Sequence, residues 1–429
     1  MTVNLGLIGL GVVGSGTVAL LQRNRREIER RAGCKLRIIR VAVRDRQKPR
    51  TVKLDPSLLT TEAEQVVADP NVHVVVEVAG GVEPARSLLL KAIGTGKSVV
   101  TCNKELLAKH GSELLDAARA ASVDVNFEGA VGGGIPIIQP LKQQLVGNRI
   151  RRVIGIVNGT TNFILTKMTR EGREFADVLA EAQALGYAEA DPTADVDGYD
   201  AAYKLAILAA IAFGHRVDHR QVLREGIRGV AAADIEHARE LGYTIKLLAI
   251  AAEDRAGFME LRVAPAFVRN EHPLAAVSDA FNAIFVEGDA VGPLMFFGRG
   301  AGAEATASAV VGDIVEIARN LKCGGTGRVP CLCDDDAKVK RFDDYEARWY
   351  LRMTVADKPG VIAAIATILG RQQVSIASVM QKGARRKLAE IVWITHTIKQ
   401  AQMDASLKAI RKLPAVKQVN SVIRVAEDE

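Results

Sequence analysis

Two hydrophobic rhythms organise the N-terminal third of the chain. Short apolar runs at "VNLGLIGL", "LRIIRVAVRD" (Leu36 to Asp45), "HVVVEVAG" (His73 to Gly80), "SVVTCNK" (Ser98 to Lys104) and "VDVNFEG" predict buried strands. Helical-period stretches such as "PARSLLLKAIGTG" lie between them. Val- and Ile-rich strands alternating with helices imply a parallel sheet covered on both faces, the doubly wound α/β class. From about residue 135 to 298 the rhythm changes. "RRVIGIVNGTTNFILTKM" reads as strand, turn and helix, "FADVLAEAQALG" and "GYDAAYKLAILAAIAFG" as helices, and "KLLAIAAEDRAGFMELRVAPAFV" as strands, which makes a mixed α+β domain. "GGTGRVPCLCDDDAKVKRFDDYEARWY" has the charged, turn-prone composition of a linker. The remainder reads strand, helix, strand, strand, helix, strand, a small ferredoxin-like domain.

Composition narrows the class. The chain has 429 residues, 48% hydrophobic and 25% charged, enough for two or three domains with real cores. The formal charge of +7 is scattered, and its one dense cluster, "QRNRREIERR" from Gln22 to Arg31, carries Glu27 and Glu29 and no aromatic residue. That cluster reads as a solvated helix end, so no nucleic-acid partner is expected. No charge-free apolar run reaches membrane-spanning length, and nothing resembles a signal peptide, so a cytoplasmic chain is expected. Five cysteines (Cys34, Cys102, Cys323, Cys331 and Cys333) at irregular spacing suggest free thiols in a reducing compartment. Cys331 and Cys333 could hold a metal, but no paired Cys-x-x-Cys motifs support zinc.

Three stretches carry chemistry. Gly9, Gly11 and Gly14 form G-x-G-x-x-G between the first strand and the first helix, with Val12 and Val13 inside the loop. The first glycine makes the turn, the second lets backbone amides approach a pyrophosphate, and the third lets helix lie on strand. The second strand runs into Arg44, where an arginine favours a ribose 2′-phosphate and hence NADP; adjacent Asp45 leaves NAD open. In "DVDGYDAAYKLAIL", Asp200 and Lys204 are four residues apart on one helical face that continues into Ile207 and Leu208. Alone, that pair fits either a surface ion pair or a lysine held in a cleft for proton transfer. "TCNKELLA" sets Thr101, Asn103 and Lys104 at the carboxyl end of a parallel strand, the ligand edge of such sheets. His215 and His219 have metal-ligand spacing but follow Gly214, past the helix end, and read as structural.

The stretches "GLGVVG", "TCNKELLA", "EGAVGGGIPII", "NGTTNFIL", "LGYAEADPTADVDGYDAAYKLAIL" and "FFGRGAGAEATASAVVGDI" together resemble the homoserine dehydrogenase family over essentially the whole chain. The resemblance implies NAD(P)-dependent interconversion of L-homoserine and L-aspartate 4-semialdehyde in threonine, methionine and isoleucine biosynthesis. It implies Lys204 as the main acid/base group, with Asp200 and Lys104 beside it. Glu189 would hold the substrate amino group, and Gly159, Thr160 and Tyr187 would line the substrate, the Gly159-Thr160 turn receiving its carboxylate. Gly9, Gly11, Val12, Val13, Gly14, Arg44, Thr101, Lys104 and Gly300 would contact the cofactor. A monovalent cation, usually sodium in the family, would be held by Glu128, Val131, Gly133 and Ile135, mostly through backbone oxygens. The return of Gly300 to the cofactor implies a nucleotide domain of residues 1–133 and 299–340, a catalytic and dimerisation domain of 134–298 and a regulatory domain of 348–429. One departure is Ala305, where the family often has proline.

"VADKPGVIAAIATIL" resembles the opening of an ACT domain, with Asp357, Pro359 and Gly360 at a strand-to-helix turn where a small amino acid could dock. L-Threonine, the pathway end product, is the expected inhibitor. A purely structural or pairing role is the alternative, and edge-to-edge pairing would give a homodimer or homotetramer. Two other readings stand beside the enzyme. One is an amino-acid dehydrogenase of different substrate, and the other a non-enzymatic amino-acid sensor.

Overall fold

The computed structural model describes residues 1–327, 329, 333–385 and 387–426. The chain forms two compact units. The first is Met1–Gly159, Asp200–Val222 and Phe281–Ala337; the second is Thr160–Tyr199, Leu223–Ala280 and Lys338–Glu429. Residues 134–298 therefore contribute to both.

The first unit is built on a six-stranded parallel sheet. Its central strand Thr2–Ile8 pairs on one side with Lys35–Ala42 and on the other with Val74–Glu77. Leu59–Thr60 lies beyond the former, and Ser98–Thr101 and Val125–Asn126 beyond the latter. The order is that of the doubly wound dinucleotide-binding fold, with its crevice at the carboxyl ends of the strands. Leu5, Leu7, Val74, Val76 and Val100 are sealed off from solvent, as expected for strands covered on both faces. The two-residue edge strand Leu59–Thr60 is too short to leave a periodic signal in the sequence. The basic cluster forms its own helix, Arg25–Ala32, after a break at Asn24, rather than prolonging the first helix. Its Arg30 and Arg31 clasp Glu27 at 2.7 and 2.6 Å on the surface. The same unit contains the antiparallel strands Ile150–Ile156, Phe281–Gly288 and Gly292–Arg299.

In the second unit, Tyr243–Glu253 and Phe258–Arg269 form a long antiparallel hairpin. The C-terminal βαββαβ segment has strands Glu346–Ala356, Ile376–Arg385, Leu388–Thr395 and Val416–Val425, with helices Val361–Arg371 and Gln400–Ile410. The first of these strands is central, antiparallel to both the last and the third, and the second lies outermost. Leu351, Met353, Ile365, Leu369, Ile391, Trp393, Met403 and Ile410 fill its core. The helical faces are apolar at three- and four-residue spacing, so each helix buries one stripe on the sheet. No helix among the described residues is long and apolar enough to cross a membrane.

Candidate active site

The glycine loop is built as its spacing requires. Gly9 adopts φ +103, and a Cβ there would meet the backbone of Val78 and Ala79 at 2.8–2.9 Å. A Cβ on Gly14 would fall 2.4 Å from the carbonyl oxygen of Gly9, whereas one on Gly11 would meet nothing within 4 Å. Gly9 and Gly14 thus serve the close approach of strand and helix, and Gly11 keeps open the side from which a pyrophosphate would come. Among the described residues no side chain caps the helix Val12–Arg23, and Val12 is 70% exposed at its first turn. The free amides and dipole of that turn are suited to an anion. Arg44 is exposed just past the strand Lys35–Ala42. Asp45 turns its carboxylate back to accept the amide of Gln47 at 2.8 Å.

At the carboxyl edge of the sheet, Glu77 is fully buried and accepts the amides of Ala79 and Gly80 at 2.8 and 2.9 Å. Thr101, also fully buried, donates its hydroxyl to Glu77 at 2.7 Å and accepts the amide of Asn103. Its side chain is spent inside the protein, so its hydroxyl is not offered to a ligand. Asn103 caps the helix Lys104–Ala121 by accepting the amide of Leu106 at 3.1 Å. That cap fixes where Lys104 begins.

The helix Tyr199–Phe213 is apolar on nearly every side, with Ala201, Leu205, Ala206, Leu208 and Ala209 buried. Lys204 is buried among them. Its ammonium donates to Asp200 Oδ2 and to the carbonyl of Val157, both at 2.7 Å. Lys104 reaches the other oxygen of Asp200 at 2.6 Å, and the side-chain Nδ2 of Asn158 donates to Oδ2 at 3.0 Å. Side-chain exposure is 9% for Lys204 and 7% for Asp200, against 44% for Lys104. The pair is therefore not a solvated ion pair. Burial by itself would raise the carboxyl pKa of Asp200; the ammonium groups of Lys204 and Lys104 outweigh it and hold the pKa well below the ordinary value. One buried carboxylate thus orients two ammonium groups, one sheltered and one facing solvent. Sequence spacing revealed the Asp200–Lys204 pair. Val157 and Asn158, at the end of the strand Ile150–Ile156, gave no such signal because they come from a distant segment.

The remaining expected residues are placed as follows. Gly159 opens the helix Gly159–Glu171. In the second unit Thr160 donates its hydroxyl to the carbonyl of Tyr187 at 2.7 Å, and the Tyr187 ring stacks on Phe163 at 4.4 Å. Glu189 is exposed, and its carboxylate has no partner among the described residues. Its acidic neighbours are tied down locally: Asp191 accepts the amide of Thr193, and Asp197 pairs with Arg228 at 2.6 Å. Glu128 is buried, and its carboxylate accepts the amides of Ile137, Ile138 and Gln139 at 2.6, 2.8 and 2.8 Å. Val131 and Ile135 are buried, and Gly133 has φ +58, with the backbone of Gly300 at 2.4 Å from its would-be Cβ. Asn282 lies against Gly300 with only 1% exposure, and both polar atoms of its side chain lack a partner among the described residues. His219 packs on the Tyr203 ring at 5.2 Å. Cys34 and Cys102 carry free thiols, while Cys331 lies outside the described residues. Among the described residues no cluster of metal-ligating side chains occurs.

Comparison with known proteins gives this geometry its context. Residues 9–128 match the family model "Homoserine dehydrogenase, NAD binding domain", residues 136–315 the model "Homoserine dehydrogenase", and residues 349–415 the ACT domain model. The chain is 48% identical to the homoserine dehydrogenase of a Synechocystis species, covering 99% of this chain and 100% of that protein. The chain belongs to the homoserine dehydrogenase family. The Corynebacterium glutamicum enzyme is 45% identical, over 99% of this chain and 96% of that protein. A solved homoserine dehydrogenase from Thiobacillus denitrificans superposes with TM-score 0.92 at 44% identity, covering 100% of this chain and 99% of that one. A hyperthermophilic archaeal homoserine dehydrogenase solved in complex with NADPH has TM-score 0.64 and 28% identity, covering 76% of this chain and all of that one. The chain is thus an NAD(P)-dependent oxidoreductase acting on a CH–OH group, with a dinucleotide-binding domain and a C-terminal ACT domain.

Proposed function

We propose that Lys204 is the proton-transfer group in the interconversion of L-homoserine and L-aspartate 4-semialdehyde. The observation that carries this is the burial of its ammonium on Asp200, with Lys104 on the same carboxylate. Oxidation of the alcohol needs a base for the hydroxyl proton as hydride leaves carbon, and reduction of the aldehyde needs the same group as an acid. The bound nicotinamide supplies or accepts the hydride. Asp200 orients both lysines, and Lys104, the more exposed, contacts substrate and cofactor. Glu189 takes the substrate amino group, the Gly159-Thr160 turn receives the substrate carboxylate, and Tyr187 lines the substrate. Gly9, Gly11, Val12, Val13, Gly14, Arg44, Gly300 and the backbone of Thr101 serve the cofactor.

We favour NADP as that cofactor. Arg44 is exposed at the strand end while Asp45 is occupied by its own turn. The archaeal family member solved with NADPH supports the same reading. A monovalent cation fits the buried turn of Val131, Gly133 and Ile135. The orphaned carboxamide of Asn282 beside Gly300 argues for a polar occupant nearby. Because the carboxylate of Glu128 already serves three amides, its share in such a site falls to the backbone oxygen.

The same reading keeps the domain division of 1–133 with 299–340, then 134–298 and 348–429. It assigns the ACT domain an amino-acid effector, L-threonine, at the turn of Asp357, Pro359 and Gly360, where Gly360 adopts φ +85 at the start of its helix. A homo-oligomer in the cytoplasm completes it. The test is to follow reduced nicotinamide by absorbance with L-aspartate 4-semialdehyde, comparing NADPH with NADH and adding L-threonine. Faster turnover with NADPH and inhibition by threonine are expected. Equal use of both cofactors would remove the role of Arg44, and indifference to threonine would remove the effector.

A further inference from the structure

A second lysine is buried, and the acid/base scheme does not use it. Lys246 lies in the strand Tyr243–Glu253 with 2% exposure. Its ammonium donates to the carbonyl of Val277 at 2.5 Å and to Asn162 Oδ1 at 3.3 Å, both neutral acceptors. Asn162 in turn donates its amide to the same carbonyl at 3.2 Å. The network continues along the helix Gly159–Glu171. Thr166 donates its hydroxyl to the carbonyl of Asn162 at 2.7 Å and accepts the amide of Asp279 at 3.0 Å. Asp279 holds a left-handed φ of +59 and pairs with Arg170 at 2.8 Å. The charged neighbours acting on Lys246 are thus Arg170 and Asp279, which already neutralise each other.

A buried ammonium without an anionic partner is costly, and an apolar side chain of the same length would avoid that cost. Retention of the amine therefore points to work done elsewhere. Lys246 is anchored to Asn162, in the opening turn of a helix whose first residues are Gly159 and Thr160. A helix N-terminus carries partial positive charge, and a cation fixed beside that turn adds to its pull on an anion.

We propose that Lys246 is a positioning residue for substrate: through Asn162 and Val277 it fixes the opening turn of the helix Gly159–Glu171 and reinforces its hold on the substrate carboxylate. This rests on the reading that the Gly159-Thr160 turn receives that carboxylate. Burial first, and the nearby charge of Arg170 second, depress the lysine pKa to about 8, so the amine is still mostly charged at neutral pH.

The test is steady-state kinetics of Lys246→Met in the full chain. KM for L-homoserine should rise at least ~10-fold, with kcat within ~3-fold of wild type and KM for NADP+ within ~2-fold. A merely structural lysine would leave the KM for L-homoserine unchanged in a folded variant, and that result overturns the proposal. Should Lys246→Met not fold, Asn162→Ala decides. It keeps the charge but cuts the link, and it should raise the same KM ~3-fold or more; an unchanged KM overturns the proposal. Thr160→Ala separates the underlying reading. If it leaves the KM for L-homoserine unchanged, the carboxylate turn itself is misassigned and the proposal falls with it. If Thr160→Ala raises that KM and Lys246→Met does not, only the role of Lys246 fails.

Discussion

Two lysines are buried on opposite terms. Lys204 sits in the first unit against a carboxylate that it shares with Lys104, so the local charge is two cations on one anion. Lys246 sits in the second unit against neutral oxygens alone. Burial by itself does not distinguish them, since both are nearly inaccessible. The partner does. An acid at hydrogen-bond distance makes Lys204 part of a charge-coupled cluster, in which a proton can be given up and regained without leaving an isolated charge. Neutral oxygens make Lys246 a fixed cation whose energy depends on pH but which, among the described residues, has no carboxylate at hydrogen-bond distance to exchange with. A buried lysine is therefore read from what it touches.

The heaviest loss outside Lys204 itself is expected at Asp200. Asp200→Asn leaves two ammonium groups around a neutral amide, and removal of one partner of a buried ion pair typically costs about 3–5 kcal/mol. Denaturant titration checks the stability, and the turnover of the folded fraction should fall at least ~10-fold as both lysines lose their orientation. The pH dependence follows from the depressed carboxyl pKa. The advantage of wild type over Asp200→Asn is complete above the unfolded value of about 4 and shrinks as pH falls below it. A constant difference down to pH 2 would break the contrast with Lys246.

For Lys246 the sign reverses. Its folded pKa, about 8, lies below the ordinary 10.5, so between these values the unfolded chain binds more protons than the folded one. Stability contributed by this group therefore rises with pH across that window, by at most about 3 kcal/mol. Measured as a difference, wild type should gain on Lys246→Met between pH 8 and 10. A flat difference would mean that the amine keeps its ordinary pKa, as a solvated amine does, in the folded state.

Arg44 should give the smallest effect. Arg44→Ala is expected to lower the preference for NADPH over NADH about 10-fold, the size of one lost charge-assisted hydrogen bond. The readout is the ratio of kcat/KM for the two cofactors, and an unchanged ratio would assign the ribose end to other residues.

Legibility in the sequence followed the range of each interaction. The parallel strands, the glycine loop and the βαββαβ order of the C-terminal segment rest on local periodicity, which sequence displays directly. Asp200 and Lys204 are one helical turn apart, so their meeting was also visible. Their burial was not, because it depends on Val157, Asn158 and Lys104 arriving from separate segments. The same holds for the Glu77–Thr101 bond that occupies a threonine expected to face the cofactor. Lys246 left no mark at all. In "YTIKLLAIAAE" it reads as a polar position on a strand, and only the tertiary contact with Asn162 and Val277 gives it meaning. The interleaving of the two compact units likewise arises from contacts that no local pattern encodes.

The central claim, proton transfer by Lys204, is tested most directly by single-turnover reduction of L-aspartate 4-semialdehyde by NADPH in Lys204→Ala, with cofactor affinity measured separately by fluorescence. The expected result is NADPH binding within ~2-fold of wild type and hydride transfer slowed at least ~100-fold, the range of a general acid–base contribution. Hydride transfer at the wild-type rate in the folded variant would contradict it.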